Sequence, residues 1–260
     1  MGPLQEIDLV DLLEAWAHEF AAVLAGRPSV KRIEAPDFLF RAKASGALVK
    51  PVIWRNEIFV GPEFRWAHVE YFAIGEQIGV IHVCVFPSLD CHAPIFGFDI
   101  ISGGRKATGA FLDLSPTTAE AAEIVDSWAA ETKREVETFQ EKRRLPDWAA
   151  AVLSEHAVAI RPVSPSEVEA VLTLAQRSLA LWLDRKKPVG RGVAMLRAQQ
   201  RYVEAQRRNE HTLRMLAGCV GADIARHFVN EWLFPEIVDP DVLLASEPLA
   251  PHECDGVDAL

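Results

Sequence analysis

From about Phe38 to Asp113 the apolar residues of this chain recur at every second position. The runs they form are separated by turn signals too closely spaced to admit a helix: Ser45-Gly46, Arg55-Asn56, Gly61-Pro62, Gly75-Glu76-Gln77 and Gly103-Gly104. Parallel neighbours would need a crossover of about a dozen residues or more, so these strands can pair only as an antiparallel meander. The flanks carry the other period. Leu12, Leu13, Trp16, Phe20, Val23 and Leu24 share one face of a helix over Leu9–Leu24, ended by Gly26-Arg27-Pro28. Downstream, Thr117 and Glu120 read as a T-x-x-E capping box opening a helix to about Phe139, and Leu145-Pro146-Asp147-Trp148 opens a short one. His156–Ile160 reads as a further strand, and Ser164-Pro165-Ser166-Glu167 starts a helix reaching Leu183. Val193–Ala217 and Ala222–Trp232 read as two more helices. Half of the 260 residues are hydrophobic and no linker interrupts them, which suits one core. The expected fold is α/β: a single-domain, three-layer α/β/α sandwich whose central antiparallel sheet is covered by helices on both faces.

The alternation also places ionisable groups. Along Arg65–Phe72 it puts Trp66, His68, Glu70 and Phe72 on one face, and along Gly79–Phe86 it puts Val80, His82, Cys84 and Phe86 on one face. With Gly75-Glu76-Gln77 as the hairpin loop, Glu70 lies directly across from His82. In Phe96–Ser102 the apolar pair Phe98 and Ile100 belongs with Ile81, Val83 and Val85, which sends Asp99 to the side of Glu70 and His82. With Gly103–Lys106 as the next loop, Asp99 faces Ala110 and Ile101 faces Thr108, so Thr108 joins this surface. A solvent-facing sheet side would also carry polar residues. Here the few titratable groups stand among Trp66, Phe72 and Phe86, and helices are expected over both faces. Carboxyls and an imidazole in a covered aromatic pocket have displaced pKa values and suit proton transfer.

Other chemistries find no support in the spacing. His82, Cys84, Cys91 and His92 match no common zinc pattern, and Cys84, Cys91, Cys219 and Cys254 form no CxxC pair, so they are expected as reduced thiols. Gly103–Gly109 contains Gly, Lys and Thr in the wrong order for a phosphate loop and reads as a hairpin turn. Uncharged apolar stretches such as Ile78–Phe86 fall short of the roughly 18–20 residues of a membrane span. The start shows no basic run followed by an apolar one, so a cytoplasmic protein is expected.

Charge narrows the partners. With 27 basic and 37 acidic residues the net charge is −10, which disfavours nucleic acid and anionic membrane. Its distribution is uneven. Asp184–Arg214 holds nine basic residues against three acidic ones, a local +6, whereas eight acids and no Lys or Arg follow Arg226. Taken alone, such a basic stretch is most simply a solvated helix face.

Several motifs in order resemble the ferredoxin-dependent bilin reductases: His68-Val69-Glu70, His82-Val83-Cys84-Val85-Phe86-Pro87, Pro94-Ile95-Phe96-Gly97-Phe98-Asp99-Ile100, and Asp113-Leu114-Ser115-Pro116. Leu145-Pro146-Asp147-Trp148, Ile160-Arg161-Pro162, Gln200-Arg201-Tyr202 through Gln206-Arg207-Arg208-Asn209, and Leu233-Phe234-Pro235 resemble the family's C-terminal half. The resemblance implies a bilin reductase domain over residues 1–236, followed by an acidic tail over 237–260 that has no counterpart. It implies biliverdin IXα as substrate and reduced ferredoxin as electron donor, with no bound metal or organic redox cofactor. Glu, His and Asp together at positions 70, 82 and 99 resemble the members that make phycocyanobilin by four-electron reduction through bilin radicals, at the D-ring vinyl and then the A-ring.

By the same resemblance Asp99 protonates the substrate near the central pyrrole nitrogens, His82 hydrogen-bonds to Asp99 and the lactam oxygen, and Glu70 serves vinyl reduction. His68 falls on a proton-network position, Thr108 and Arg143 on propionate-holding positions, and Asn209 on a pocket position. Glu210 and His211 stand where Asp and Lys are usual, at the residues for A-ring regiochemistry and propionate anchoring. The +6 stretch with Lys142, Arg143 and Arg144 becomes the expected dock for acidic ferredoxin, with the protein acting as a monomer. The competing expectations are another product, such as phycoerythrobilin or a two-electron dihydrobilin, and a non-catalytic bilin carrier.

Overall fold

The computed structural model describes residues 8–36, 52–185 and 193–237, apart from the side chain of Trp148. Seven antiparallel strands lie in the sheet in chain order: β1 Lys31–Ile33, β2 Val52–Val60, β3 Phe64–Ile74, β4 Ile78–Pro87, β5 Ile95–Gly103, β6 Lys106–Ser115 and β7 Val158–Ile160. The meander follows from the short turns, and the period-two pattern fixes which face each residue takes. The beginning of the expected strand region, from Phe38 to Pro51 with its Ser45-Gly46 turn, lies outside the described residues.

On one face α1 (Leu9–Ala25), α2 (Ala119–Thr138) and α4 (Pro165–Asp184) cover Tyr71, Ile81, Val83, Val85, Phe98 and Ile100. Buried polar atoms tie this layer down. The Tyr71 hydroxyl donates to Val10 O at 3.1 Å, the Trp128 indole to Ser178 Oγ at 2.9 Å and the Trp182 indole to Pro94 O at 2.8 Å. On the opposite face, α5 (Val193–Arg207), α6 (Glu210–Val220), α7 (Ala222–Phe228) and a π-helical turn over Val229–Leu233 cover Trp54, Phe72, Cys84 and Phe86. Between the helical groups, α3 (Asp147–Ala150) precedes β7. The three-layer α/β/α architecture expected from the pattern is therefore present.

Four local expectations are corrected. Arg55-Asn56, expected as a turn, lies within the continuous strand β2, paired with Tyr71 and Glu70. Thr118, not Thr117, caps α2: its hydroxyl accepts from Ala121 N at 3.2 Å. Thr117 is buried and donates to Ala93 O at 2.8 Å, so its hydroxyl is already committed. The helix expected over Val193–Ala217 is broken at Arg208-Asn209, where Asn209 Oδ1 accepts from His211 N at 3.1 Å and caps α6. The β5–β6 register also differs by one. Gly103 pairs with Lys106 around Gly104, whose φ of 64° suits a tight turn, and an irregularity between Ile101 and Ser102 leaves Thr108 as an extra residue. Asp99 thus faces Phe111 rather than Ala110, and Ile101 faces Gly109 rather than Thr108.

The buried Asp113 carboxylate fastens the segment before β7 to β6, accepting from the Ser115 and Ser154 hydroxyls and, at 3.1 Å, from Ser154 N. Asp113→Ala leaves all three donors without their acceptor and is expected to lower unfolding free energy by about 2–4 kcal/mol, measured by urea denaturation. A loss below about 1 kcal/mol contradicts this role.

Candidate functional site

β3, β4 and β5 bring the ionisable residues together. Glu70 pairs with His82 and His82 with Asp99 in adjacent ladders, so the three side chains form a row across the face under α5–α7. Asp99 Oδ1 accepts from His82 Nδ1 at 2.6 Å. His68 joins from β3 with its ring 6.3 Å from that of His82. The row has a closed end and an open end. Glu70 is 5% exposed, whereas 40% of the Asp99 side-chain surface is open. Phe228 stands 5.8 Å from the His68 ring and Phe234 5.8 Å from the His82 ring, roofing the closed end. The wider spacing of the π-helical turn brings Phe234 there, with Phe234 N donating to Val229 O at 3.0 Å.

β2 contributes two groups that the sequence reading left out. The Trp54 indole N–H donates to Glu70 Oε1 at 2.6 Å, and His68 Nε2 donates to Asn56 Oδ1 at 2.9 Å. Continuing the period-two pattern back into Val52–Val60 puts Trp54, Asn56 and Ile58 on this face and would have found both. Tyr202 on α5 was likewise missed; a Cβ at Gly97 would lie 3.2 Å from its hydroxyl, two residues from Asp99.

Electrostatics separates His68, His82 and Glu70. Burial drives His68 well below the ordinary histidine value, helped by nearby His82, so it is neutral, with Nε2–H on Asn56 and a lone pair on Nδ1. Burial also opposes charge on His82, but the Asp99 carboxylate at Nδ1 outweighs it and holds the imidazolium well above the ordinary value. Burial raises the Glu70 carboxyl to about 7, against the pull of His82 and the Trp54 N–H. His68 Nδ1 and His82 Nε2 are both buried with no hydrogen-bond partner. Buried polar atoms left unpaired are costly, so a base and an acid without partners mark a surface built for a ligand. Two carboxyls and two imidazoles this close together can hold, donate and recover protons as a coupled set.

The Glu70 shift has a stability consequence. A carboxyl raised in the folded state contributes stability that is fully present below its ordinary 4.5 and is lost as pH rises through about 7. Glu70→Gln removes that loss. Its stability relative to wild type is expected to rise by about 2–3 kcal/mol between pH 5 and pH 8, measured by urea denaturation. Parallel pH profiles contradict the assignment.

At the open end Arg143 and Thr108 sit together: Arg143 Nη1 donates to Thr108 O at 2.8 Å. The guanidinium lies 5.6 Å from the centre of the Phe111 ring. A Cβ at Gly109 would be 2.5 Å from Nη1, so glycine is what lets the guanidinium lie against β6. A cavity of about 410 Å³ lined by Lys142, Arg143 and Arg144 adjoins them. Asn209 uses its side chain to cap α6, Nδ2 also donating to Thr212 Oγ1 at 3.0 Å. Glu210 and His211 follow on the exposed first turn, Glu210 paired with Arg214 at 3.4 Å. These three share the α5–α7 layer, where Asn209 bonds to His211 and Thr212 and Glu210 pairs with Arg214. Among the described residues no group of three or more His, Cys, Asp or Glu is placed to hold a metal, and no helix is long and apolar enough to cross a membrane.

The basic stretch divides. Arg185 donates to Glu131 and to Ile124 O, and Arg207 to Phe234 O at 3.0 Å and Asn230 O at 2.7 Å, securing the π-helical turn. Arg197 and Arg201 are exposed on α5. Lys186, Lys187, Arg191 and the acidic tail from 238 onward, with Cys254, lie outside the described residues.

The sequence profile of the ferredoxin-dependent bilin reductases matches residues 27–235. A phycocyanobilin:ferredoxin oxidoreductase from Synechococcus sp. is 33% identical over 185 residues, covering 69% of this chain and 74% of its own. One from Trichodesmium erythraeum is 25% identical over 189 residues, covering 70% and 76%. Among solved structures, phytochromobilin synthase from tomato in complex with biliverdin shares the fold, with a TM-score of 0.68 at 14% identity over 86% of this chain and 82% of that one.

Proposed function

The chain belongs to the ferredoxin-dependent bilin reductases, and on that premise we propose that it reduces biliverdin IXα to phycocyanobilin with four electrons from reduced ferredoxin. The observation that carries this reading is the row of Glu70, His82 and Asp99 on one covered face, with unpartnered His82 Nε2 and His68 Nδ1 beside it. A flat conjugated tetrapyrrole with two carboxylates needs an apolar slot, proton donors along its middle and cations at its rim. Trp66, Phe72, Phe86 and Phe234 supply apolar wall, and Arg143 with Thr108 is the proposed holder of the propionates.

Four electrons added to biliverdin are matched by four protons. Each electron makes the conjugated system more basic, so a donor in contact with it keeps the intermediate near neutral. In this reading Asp99 relays protons to the bilin near its central nitrogens, its carboxylate taking each one up from solvent at the open end, while His82 supplies the charged N–H toward the lactam and neutral His68 passes protons within the network. Glu70, kept substantially protonated at neutral pH by burial, is the donor for the D-ring vinyl. Asn209, Glu210 and His211 are assigned to the A-ring end. Tyr202, on the helix before them, already approaches the β5 face beside Asp99, which supports that placement. Arg197 and Arg201, with Lys142–Arg144, form the proposed dock for acidic ferredoxin.

The test is anaerobic incubation of the full chain with biliverdin IXα and reduced ferredoxin, with the product separated by chromatography. Phycocyanobilin is expected. Phycoerythrobilin or a two-electron dihydrobilin overturns the product assignment, and bound, unreduced biliverdin indicates a carrier.

A further inference from the structure

We propose that Trp54 is the positioning residue for Glu70: its indole N–H holds Oε1 as an acceptor, so that Oε2 is the oxygen that carries the proton and presents it to the bilin. The inference rests on the reading of Glu70 as a proton donor.

Trp54 pairs with Phe72 across β2 and β3, and Asn56 pairs with Glu70, so Trp54 lies diagonal to Glu70 on the same face. Diagonal neighbours stand about 7–8 Å apart, within reach of an indole and beyond most smaller side chains. The indole Nε1 is 2.6 Å from Oε1 and the contact is buried. The ring is fixed edge-on between Phe72, at 6.2 Å, and Phe228, at 4.7 Å. Asn56, directly opposite Glu70, is occupied by His68.

An indole N–H only donates. Oε1 therefore offers a lone pair in both states of Glu70, and because the carbonyl oxygen of an acid is a stronger acceptor than its hydroxyl oxygen, the contact favours the form with the hydrogen on Oε2; in the carboxylate Oε1 carries its share of the charge. When the Oε2–H bond breaks and its proton bonds to the substrate, the same N–H faces a full negative charge. Its hydrogen bond becomes charge-assisted and stronger. The contact thus stabilises the donor more as the proton leaves than before, which is the condition for accelerating the transfer. The titratable groups facing Glu70 are His82 on β4 and Asp99 on β5, with His68 on its own strand; the helical layer brings Phe228 against Trp54.

The experiment uses the full chain with Trp54→Phe and, as a shape-preserving second variant, 3-benzothienylalanine at position 54, which keeps the fused rings and lacks the N–H. The infrared carboxyl band of Glu70, assigned by its loss in Glu70→Gln, is followed against pH without substrate. Wild type is expected to titrate near 7, and both variants about one pH unit higher because the carboxylate loses its donor. With biliverdin and ferredoxin, kcat for vinyl reduction is expected to fall about tenfold while KM for biliverdin stays within about twofold. An unshifted midpoint in both variants overturns the inference. Wild-type protein that leaves biliverdin unreduced overturns instead the functional reading beneath it. The two failures are separable because the titration contains no substrate.

Discussion

Asp99→Asn is expected to leave biliverdin bound and to slow its reduction by roughly 10²–10⁴-fold. The substitution preserves size, and its side-chain oxygen can still accept from His82 Nδ1, now at 2.6 Å from Asp99 Oδ1. What it removes is a proton-carrying group and a negative charge. The charge matters twice. Burial alone would keep His82 neutral, and the Asp99 carboxylate is what holds the imidazolium against it. With Asn at 99 the pKa of His82 falls, so one substitution removes both the carboxyl that would carry protons to the bilin and the charge that keeps His82 a donor. The pocket wall is little affected, because Asp99 lies at the open end of the row. Binding is measured by the absorbance change of biliverdin on titration with protein, and turnover by anaerobic reduction with ferredoxin. Wild-type turnover in this variant would remove Asp99 from the mechanism; loss of binding would make it a substrate anchor.

Glu70→Gln is expected to change the product rather than only the rate. The amide keeps an oxygen for the Trp54 N–H, so the local packing survives. It has no acidic proton to give, and no other carboxyl among the described residues shares this closed end of the row. The expected product therefore retains the D-ring vinyl and carries at least two fewer hydrogens than phycocyanobilin, as read by chromatography and mass. A variant that makes the wild-type product at a comparable rate assigns vinyl protonation elsewhere.

Much of this site could be read from the sequence, for a definable reason. A three-residue loop at Gly75-Glu76-Gln77 fixes the β3–β4 register, and strict alternation then puts Glu70 opposite His82. The side of Asp99 follows from the apolar Phe98 and Ile100. The neighbouring hairpin failed by one residue because Thr108 is an inserted residue with no compositional sign. Trp54 and Asn56 escaped because Arg55-Asn56 reads as a turn, whereas the strand runs through it from Val52 to Val60. The remaining misses depend on distant partners. Thr117 looks like a helix cap until Ala93 O takes its hydroxyl. The π-helical turn that sets Phe234 over His82 is held partly by Arg207, from a helix more than twenty positions earlier. Such contacts belong to the packed chain and leave no local pattern.

The central claim is that one row of ionisable side chains, closed at Glu70 and open at Asp99, serves a four-electron reduction. Stepwise anaerobic titration of the biliverdin complex with reduced ferredoxin, one equivalent at a time and followed by absorbance and electron paramagnetic resonance, tests it most directly. Biliverdin should give way to a bilin radical after the first equivalent, and the spectral change should end at four equivalents with phycocyanobilin as product. A spectrum that stops changing at two equivalents, or does not change at all, would contradict the account.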